Sequence, residues 1–299
     1  MIDITDISLA KPLQEGSEVL TVAASSGITD EGPLLEGLRI FEEWGLRCRP
    51  HQVTGRHWGY LAGNDLIRFK ELHPEEPASL IAFARGGWGA ARLLERYQPW
   101  KEGWILGFSD VTALLLSRLA AGFDGCIHGP LITSLSKEPD WSKERLKSIL
   151  FGQTIPDLQG EDWQGGIAKG PIVAANLTVA SHLIGSNHIP DLRGAILVLE
   201  DIGEEPYRID RMLTQFRLAG LLKGLKGLAF GKFIDCEYQD KTDNDRTFSL
   251  KEVLRERSLD LKIPVVANLP IGHCHGNAAL PLGRDAILDG GKGILKLLP

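Results

Sequence analysis

Residues 104–116 read WILGFSDVTALLL. Three apolar residues run into Gly107, Phe108, Ser109 and Asp110 follow, and the apolar spacing then turns helical. The pattern predicts a buried strand joined to a helix, with a small hydroxyl at the joint. Two readings of Ser109 are open. Ser and Asp are favoured before a helix because a side-chain oxygen accepts from an orphaned backbone N–H. Alternatively, the hydroxyl is a nucleophile raised on a tight turn beside N–H groups that stabilise an oxyanion. The stretch GFSDV departs from the hydrolase elbow G-x-S-x-G at its last position, so these residues alone do not decide.

The same unit recurs on both sides. EVLTVAA (18–24) reads as a buried strand ending in Ser25, Ser26 and Gly27, and PLLEGLRIFEEWG (33–45) as a helix stopped by glycine. LRCRPHQV (46–53) suggests a strand and LIRFKELH (66–73) a helix. ASLIAFA (78–84) is a strand ending in Arg85, Gly86 and Gly87, followed by a helical AARLLERYQ (90–98). VTALLLSRLAAG (111–122) is helical, and CIHGPLI (126–132) is a short apolar segment carrying His128. Alternating strand and helix imply an α/β domain with a parallel sheet flanked by helices. Ligands of such sheets lie beyond the carboxyl ends of the strands. Here those ends hold Ser25, Ser26, Gly86, Gly87, Ser109 and His128.

The pattern fades over 136–166, apart from one helical stretch, WSKERLKSILFG (141–152). We expect an N-terminal domain over 1–135, an interdomain connection over 136–166, and a smaller, β-rich α/β domain over 167–299. In the last, GAILVLEDIG (194–203) is a strand ending in Glu200 and Asp201, and RIDRMLTQFRLAG (208–220) is an amphipathic helix. KIPVVANLPIGHCHGN (262–277) is a strand leading into a loop with two histidines, and DAILDGGKGILKLLP (285–299) is a hairpin around Asp289, Gly290 and Gly291.

The 299 residues are 43% hydrophobic and 24% charged, which is enough to bury an ordinary core. A formal net charge of -6 argues against nucleic acid or an anionic membrane as a partner. Basic clusters such as the one around Lys223 and Lys226 are short. Cys48, Cys126, Cys236 and Cys274 are scattered without a C-x-x-C pair, so neither a disulfide framework nor a zinc ribbon is expected. The N-terminal stretch lacks a signal-peptide pattern and no apolar run has the length of a membrane span. The expectation is a soluble cytoplasmic protein.

Candidate chemistry rests on three residue types. A serine hydroxyl needs a base within hydrogen-bond reach, and the base needs an acid to hold its tautomer. Glu200 ends an apolar strand, where a charge is costly unless paired or solvated. His273 and His275 lie in a Gly-rich loop, and His128 is a third histidine. Each also has a bland reading: a strand-end carboxylate, a surface-loop histidine, a turn that fixes the chain. The His-x-His spacing suggests a metal, but no third ligand is indicated, so none is expected.

ARGGWGAARLL (84–94), GFSDVTALL (107–115), HGP (128–130), NLT (176–178), LEDIGEEPYRIDRMLTQFRLAG (199–220) and LPIGHCHGN (269–277) occur in the order and spacing of the LD-carboxypeptidase family. The chain resembles these serine peptidases over nearly its whole length. The resemblance implies Ser109 as nucleophile, Glu200 as acid and His273 as base. It implies an oxyanion hole from the N–H groups of Asp110 and of Gly86 or Gly87. It also implies a two-domain fold with the site between the domains, no cofactor, and a homodimer. Trp88 stands where the family frequently has Tyr, and AASSG lacks a common Pro.

The implied activity is hydrolysis of the amide between an L-configured centre and a terminal D-amino acid, releasing D-alanine from a murein tetrapeptide. A small peptide or muropeptide is then the substrate, and Arg85, Ser25 and Ser26 are candidates to hold its carboxylate. Two alternatives remain. One is a microcin-immunity type of peptidase cleaving peptidyl or aminoacyl nucleotides, for which Trp141 and Trp163 offer rings to stack a purine. The other is a non-catalytic two-domain small-molecule-binding protein, which has no need of a full Ser, Glu and His set.

Overall fold

The apolar runs EVLTV, LIAF and WILG become neighbouring parallel strands in a computed structural model, which describes residues 10–96, 100–238 and 247–298. The chain forms two units of mixed α/β structure. Unit one comprises Met1–Ile155, Asn187–Pro190 and His275–Gly283, and unit two comprises Pro156–Ser186, Asp191–Cys274 and Arg284–Pro299. The stretch 136–166 divides between them.

Unit one contains β1 (Glu18–Val22), α1 (Gly32–Glu43), β2 (Arg47–Cys48), α2 (Asp65–Leu72), β3 (Leu80–Phe83), β4 (Trp104–Gly107), α3 (Thr112–Ala120), β5 (Cys126–His128), α4 (Ile132–Leu135) and α5 (Asp140–Leu150). A late strand, Leu280–Leu282, twelfth in chain order and so β12, completes its sheet. The order is β12-β5-β4-β3-β1-β2, parallel throughout except for β12, which runs antiparallel to β5. Leu34, Leu38 and Phe41 give α1 a single buried stripe. By contrast α3 is buried from Thr112 to Leu119, Ser117 and Arg118 included.

Two expectations change here. AARLLERYQ does not form an α-helix: only a short 3-10 stretch, Ala91–Glu95, is present, and Tyr97 and Gln98 lie outside the described residues. Its start has no side-chain cap, and five residues are too few to carry an α-helix on propensity alone. LRCRPHQV yields only the two-residue β2, because Pro50 has no N–H to continue a ladder.

Unit two contains β6 (Leu158–Gln159), β7 (Glu161–Gln164), β8 (Ile167–Asn176), α6 (Leu177–His182), β9 (Ile196–Ile202), α7 (Pro206–Leu218), β10 (Gly227–Ile234), α8 (Leu250–Ser258), β11 (Val265–Ala267), β13 (Asp285–Asp289) and β14 (Ile294–Leu297). The eight strands are ordered β6-β14-β13-β8-β9-β10-β11-β7. The central four, β8 to β11, are parallel, and the outer strands pair antiparallel. β13 and β14 form the expected terminal hairpin, with Asp289 opposite Ile294. No helix among the described residues is long and apolar enough to cross a membrane.

Candidate active site

In unit one the candidate residues cluster at the carboxyl ends of four adjacent parallel strands. Ser25 and Ser26 follow β1, Arg85 to Gly87 follow β3, Ser109 follows β4, and His128 ends β5. This clustering follows from topology, because the ends of parallel strands share one edge.

Ser109 has φ +62°, a left-handed conformation rare for a residue with a Cβ. It is not a helix cap. The short turn it opens has Phe108 at its N-cap and α3 has Val111, and neither makes a side-chain capping bond. A Cβ built on Gly86 would lie 3.1 Å from the Ser109 Cβ and 3.2 Å from its Oγ, so the serine side chain rests against the Gly86 backbone. Gly87 has φ +115°, and a Cβ there would come within 2.7 Å of the Ser26 Cβ. Only glycine fits a turn drawn that close.

The Asp110 side chain turns inward. Its Oδ2 accepts from Ser25 Oγ at 2.6 Å and from the Ala90 N–H at 2.8 Å. Burial pushes its carboxyl up from the usual range, and the bonds from Ser25 and Ala90 and the charge of Arg68 pull it back. Ser26 is buried too, and its Oγ accepts from the Trp88 N–H at 3.3 Å. Arg85 is exposed and donates to the Gly27 carbonyl at 3.2 Å. His128 is fully buried and packs edge-to-face on Phe108 at 5.8 Å, the setting of a core histidine.

In unit two, Glu200 sits near the carboxyl end of the central strand β9, opposite Asn176 of β8. It is 1% exposed, and its Oε2 lies 2.8 Å from His273 Nδ1. Its Oε1 is buried with no hydrogen-bond partner among the described residues. A carboxylate so placed is costly unless a cation or a charge-assisted bond compensates, and the His273 imidazole is positioned to supply it. The two meet because the chain after β11 runs on beside β10 in the same direction. Leu269 N–H donates to the Phe230 carbonyl at 3.1 Å, and Lys232 N–H to the Ile271 carbonyl at 2.8 Å. Gly231 permits the crossing, since a Cβ there would stand 2.5 Å from the Ile271 oxygen and 3.2 Å from Glu200 Cβ.

Gly272 has φ +107°, and a Cβ on it would lie 2.8 Å from both Cβ and Cγ of Glu200. Gly272→Ala is therefore expected to displace Glu200 and strain the loop. The expected cost is about 1–3 kcal/mol of stability, read from the melting temperature, with turnover falling further than stability does. An unchanged melting temperature and turnover would show that the loop has room to relax.

His275 belongs to unit one and is exposed. Glu138, a buried carboxylate, accepts the N–H groups of Gly276 and Asn277, both at 2.9 Å, and so anchors that end of the histidine loop. Of the two tryptophans considered for stacking a base, Trp141 on α5 is exposed. The Trp163 ring on β7 is flanked by Lys251 at 5.9 Å and Arg255 at 5.2 Å and packs on Phe230. Among the described residues no group of three or more His, Cys, Asp or Glu is placed to hold a metal ion.

Of the buried charges that the sequence reading gave no role, three pack around the candidate residues. Arg68 is fully buried on α2, one turn before Leu72 on the apolar stripe, and an Arg at an apolar position was the available signal. Asp201, beside Glu200, takes up Asn176 Nδ2 at 3.0 Å and both the N–H and hydroxyl of Thr178 at 2.8 Å. It ties the start of α6 to β9, which explains why NLT and LED appear together. Glu138 is the third.

Residues 19–129 match the family model for the LD-carboxypeptidase N-terminal domain, and residues 169–288 match that for the C-terminal domain. A putative carboxypeptidase of Synechocystis is 44% identical over 96% of this chain and 96% of its own length. The murein tetrapeptide carboxypeptidase of Pseudomonas aeruginosa is 30% identical over 93% of this chain and 94% of its own. Among solved structures, the muramoyltetrapeptide carboxypeptidase of Oxalobacter formigenes superposes with a TM-score of 0.82 at 26% identity, covering 94% of this chain and 98% of that one. The microcin C7 self-immunity protein MccF, solved with aspartyl sulfamoyl adenosine, shares the fold with a TM-score of 0.83 at 22% identity, covering 98% of each chain.

Proposed function

Because the chain belongs to the LD-carboxypeptidase family, we propose that it is a serine carboxypeptidase that releases D-alanine from a murein tetrapeptide through an acyl-enzyme. The observation that carries the reading is Ser109, a residue with a side chain held at φ +62° beyond a parallel strand, against Gly86. Backbone strain of that kind costs about 1–3 kcal/mol and persists where it serves a reactive geometry.

In this mechanism Ser109 Oγ attacks the scissile carbonyl as His273 Nε2 takes its proton. Glu200 holds His273 through Nδ1 and stabilises the imidazolium. The oxyanion forms against the N–H groups of Asp110 and of the Gly86–Gly87 turn. His273 then gives its proton to the departing amine, and water hydrolyses the ester. The N-terminal domain thus supplies the nucleophile, and the C-terminal domain the acid and base. Arg85, exposed beside this turn, is the residue we assign to the substrate's free carboxylate. Ser25 and Ser26 instead serve the local loops through their hydroxyls.

The test is a substrate panel with the purified protein. Murein tetrapeptide should be converted to tripeptide with release of D-alanine, and an aminoacyl-sulfamoyl adenosine should be cleaved far more slowly. The reverse preference would assign the chain to the nucleotide-cleaving type, and no turnover of either would favour a binding protein. Activity is expected to survive EDTA, since no step uses a metal. Loss in EDTA that zinc restores would promote His273 and His275 to metal ligands. The proposal extends to a homodimer acting in the cytoplasm, and the sedimentation coefficient of the purified chain tests the dimer.

A further inference from the structure

Taking Ser109 as the nucleophile, we propose that the Asp110 side chain is a positioning residue. It fixes the loop after β3 against the Ser109 turn, so that the oxyanion donors on the two segments keep a common register. The loops after β1, β3 and β4 leave the sheet separately, and the strand ladder does not hold them to one another. One carboxylate oxygen does: Asp110 Oδ2 accepts from Ser25 Oγ after β1 at 2.6 Å and from Ala90 N–H after β3 at 2.8 Å, while its own backbone follows β4.

The direct bonds between the β1 and β3 loops are longer, that of Arg85 to the Gly27 carbonyl at 3.2 Å among them. Ser26 N–H meets the Gly86 carbonyl at 3.3 Å, and Trp88 N–H meets Ser26 Oγ at 3.3 Å. At 2.6 and 2.8 Å the bonds to Asp110 Oδ2 are the stronger ones. Arg68 completes the arrangement from the other side. Its guanidinium is fully buried, donates to the Ala24 carbonyl and, at 2.9 Å, to the Gly89 carbonyl, and pairs with Asp65 at 2.5 Å. Asp110 and Arg68 therefore grip adjacent residues of the same two loops, 24 and 25 in one, 89 and 90 in the other. Oxyanion donors must sit within a few tenths of an ångström of the developing charge, and a misplacement of about 1 Å costs about 100-fold in rate. Asp110 acts through those donors, not on the substrate.

The experiment compares Asp110→Ala, Asp110→Asn and Ser25→Ala with the parent protein on murein tetrapeptide. Active sites are counted by labelling to completion with a fluorophosphonate, so kcat is expressed per reactive serine. Asp110→Ala should lower kcat per site by about 100-fold with KM changed less than about 3-fold. Asp110→Asn keeps an acceptor oxygen and should recover to within about tenfold of the parent. Ser25→Ala removes one of the two bonds and should fall between. A purely structural residue would lower the melting temperature and the number of labelled sites while leaving kcat per site unchanged, and that result overturns the proposal. An Asn variant no better than Ala overturns it as well. Should Asp110→Ala fail to fold, Ser25→Ala with unchanged kcat per site is the overturning result. Ser109→Ala separates the two layers: if that variant turns over substrate, the serine reading itself falls, whereas if it is inactive and Asp110→Ala is normal, only the Asp110 assignment falls.

Discussion

Ser109→Ala is expected to abolish D-alanine release, by about four orders of magnitude or more, while the protein keeps its fold and its melting temperature within a few degrees. The activity term follows from the mechanism, since without Oγ there is no atom to form the acyl-enzyme, and residual rate comes from binding and the oxyanion donors alone. The stability term follows from the structure. The residue caps neither the short turn nor α3, so no capping bond at those positions is lost. Alanine also bears the same Cβ at the same φ of +62°, so the backbone strain is unchanged. Ser109→Gly removes that Cβ and should be the more stable of the two variants by about 1 kcal/mol, and equally inactive. Chiral analysis of released D-alanine, with melts followed by circular dichroism, reads both terms. Turnover near that of the parent protein in either variant would rule out the serine mechanism.

The parallel arrangement of unit one was legible because β1, β3 and β4 are short apolar runs that lead into Gly or Ser and then a helical period. Ser109 stood out by position, but sequence alone left capping and catalysis open. In the structure it caps neither the short turn nor α3 and is held at φ +62°, and no residue pattern encodes an angle that a serine adopts against its preference. Glu200 could be singled out because a carboxylate ends an apolar strand. Its partner could not be read locally, since the pairing requires a loop 73 residues later to cross β10 at Gly231. Long-range hydrogen bonds of this kind leave only glycines as traces, and a glycine has many uses. β12 escaped notice for a related reason: LPL carries a proline and reads as loop, yet it closes an edge by pairing antiparallel to β5, where a proline is tolerated. Arg68 and Asp110 were legible as charges but not as anchors, because their partners lie on other strands' loops.

The two histidines of the GHCHG loop are expected to separate cleanly. A general base must offer one ring nitrogen to the nucleophile and secure the other to an acid. His273 Nδ1 has that acid in Glu200 at 2.8 Å, in a setting where Glu200 is 1% exposed and the histidine side chain 17% exposed. His275 is exposed, and the buried Glu138 carboxylate accepts from the backbone of the residues that follow it, Gly276 and Asn277. His273→Ala should therefore lower kcat by about four orders of magnitude, as loss of a triad member does. His275→Ala should change kcat by less than about threefold and show itself, if anywhere, in KM. Glu200→Gln should fall between, because an amide oxygen can still accept from Nδ1 while the charge that stabilises the imidazolium is gone. The Gln variant should also flatten the advantage of His273: in the Glu200→Gln background, adding His273→Ala should cost less than it does alone, since groups acting as one unit are not additive. Measuring kcat for the three single variants and the double on murein tetrapeptide decides the assignment. A His275→Ala protein as inactive as Ser109→Ala, beside an active His273→Ala protein, would move the base to His275 and leave the Glu200–His273 bond as a structural tie of the loop.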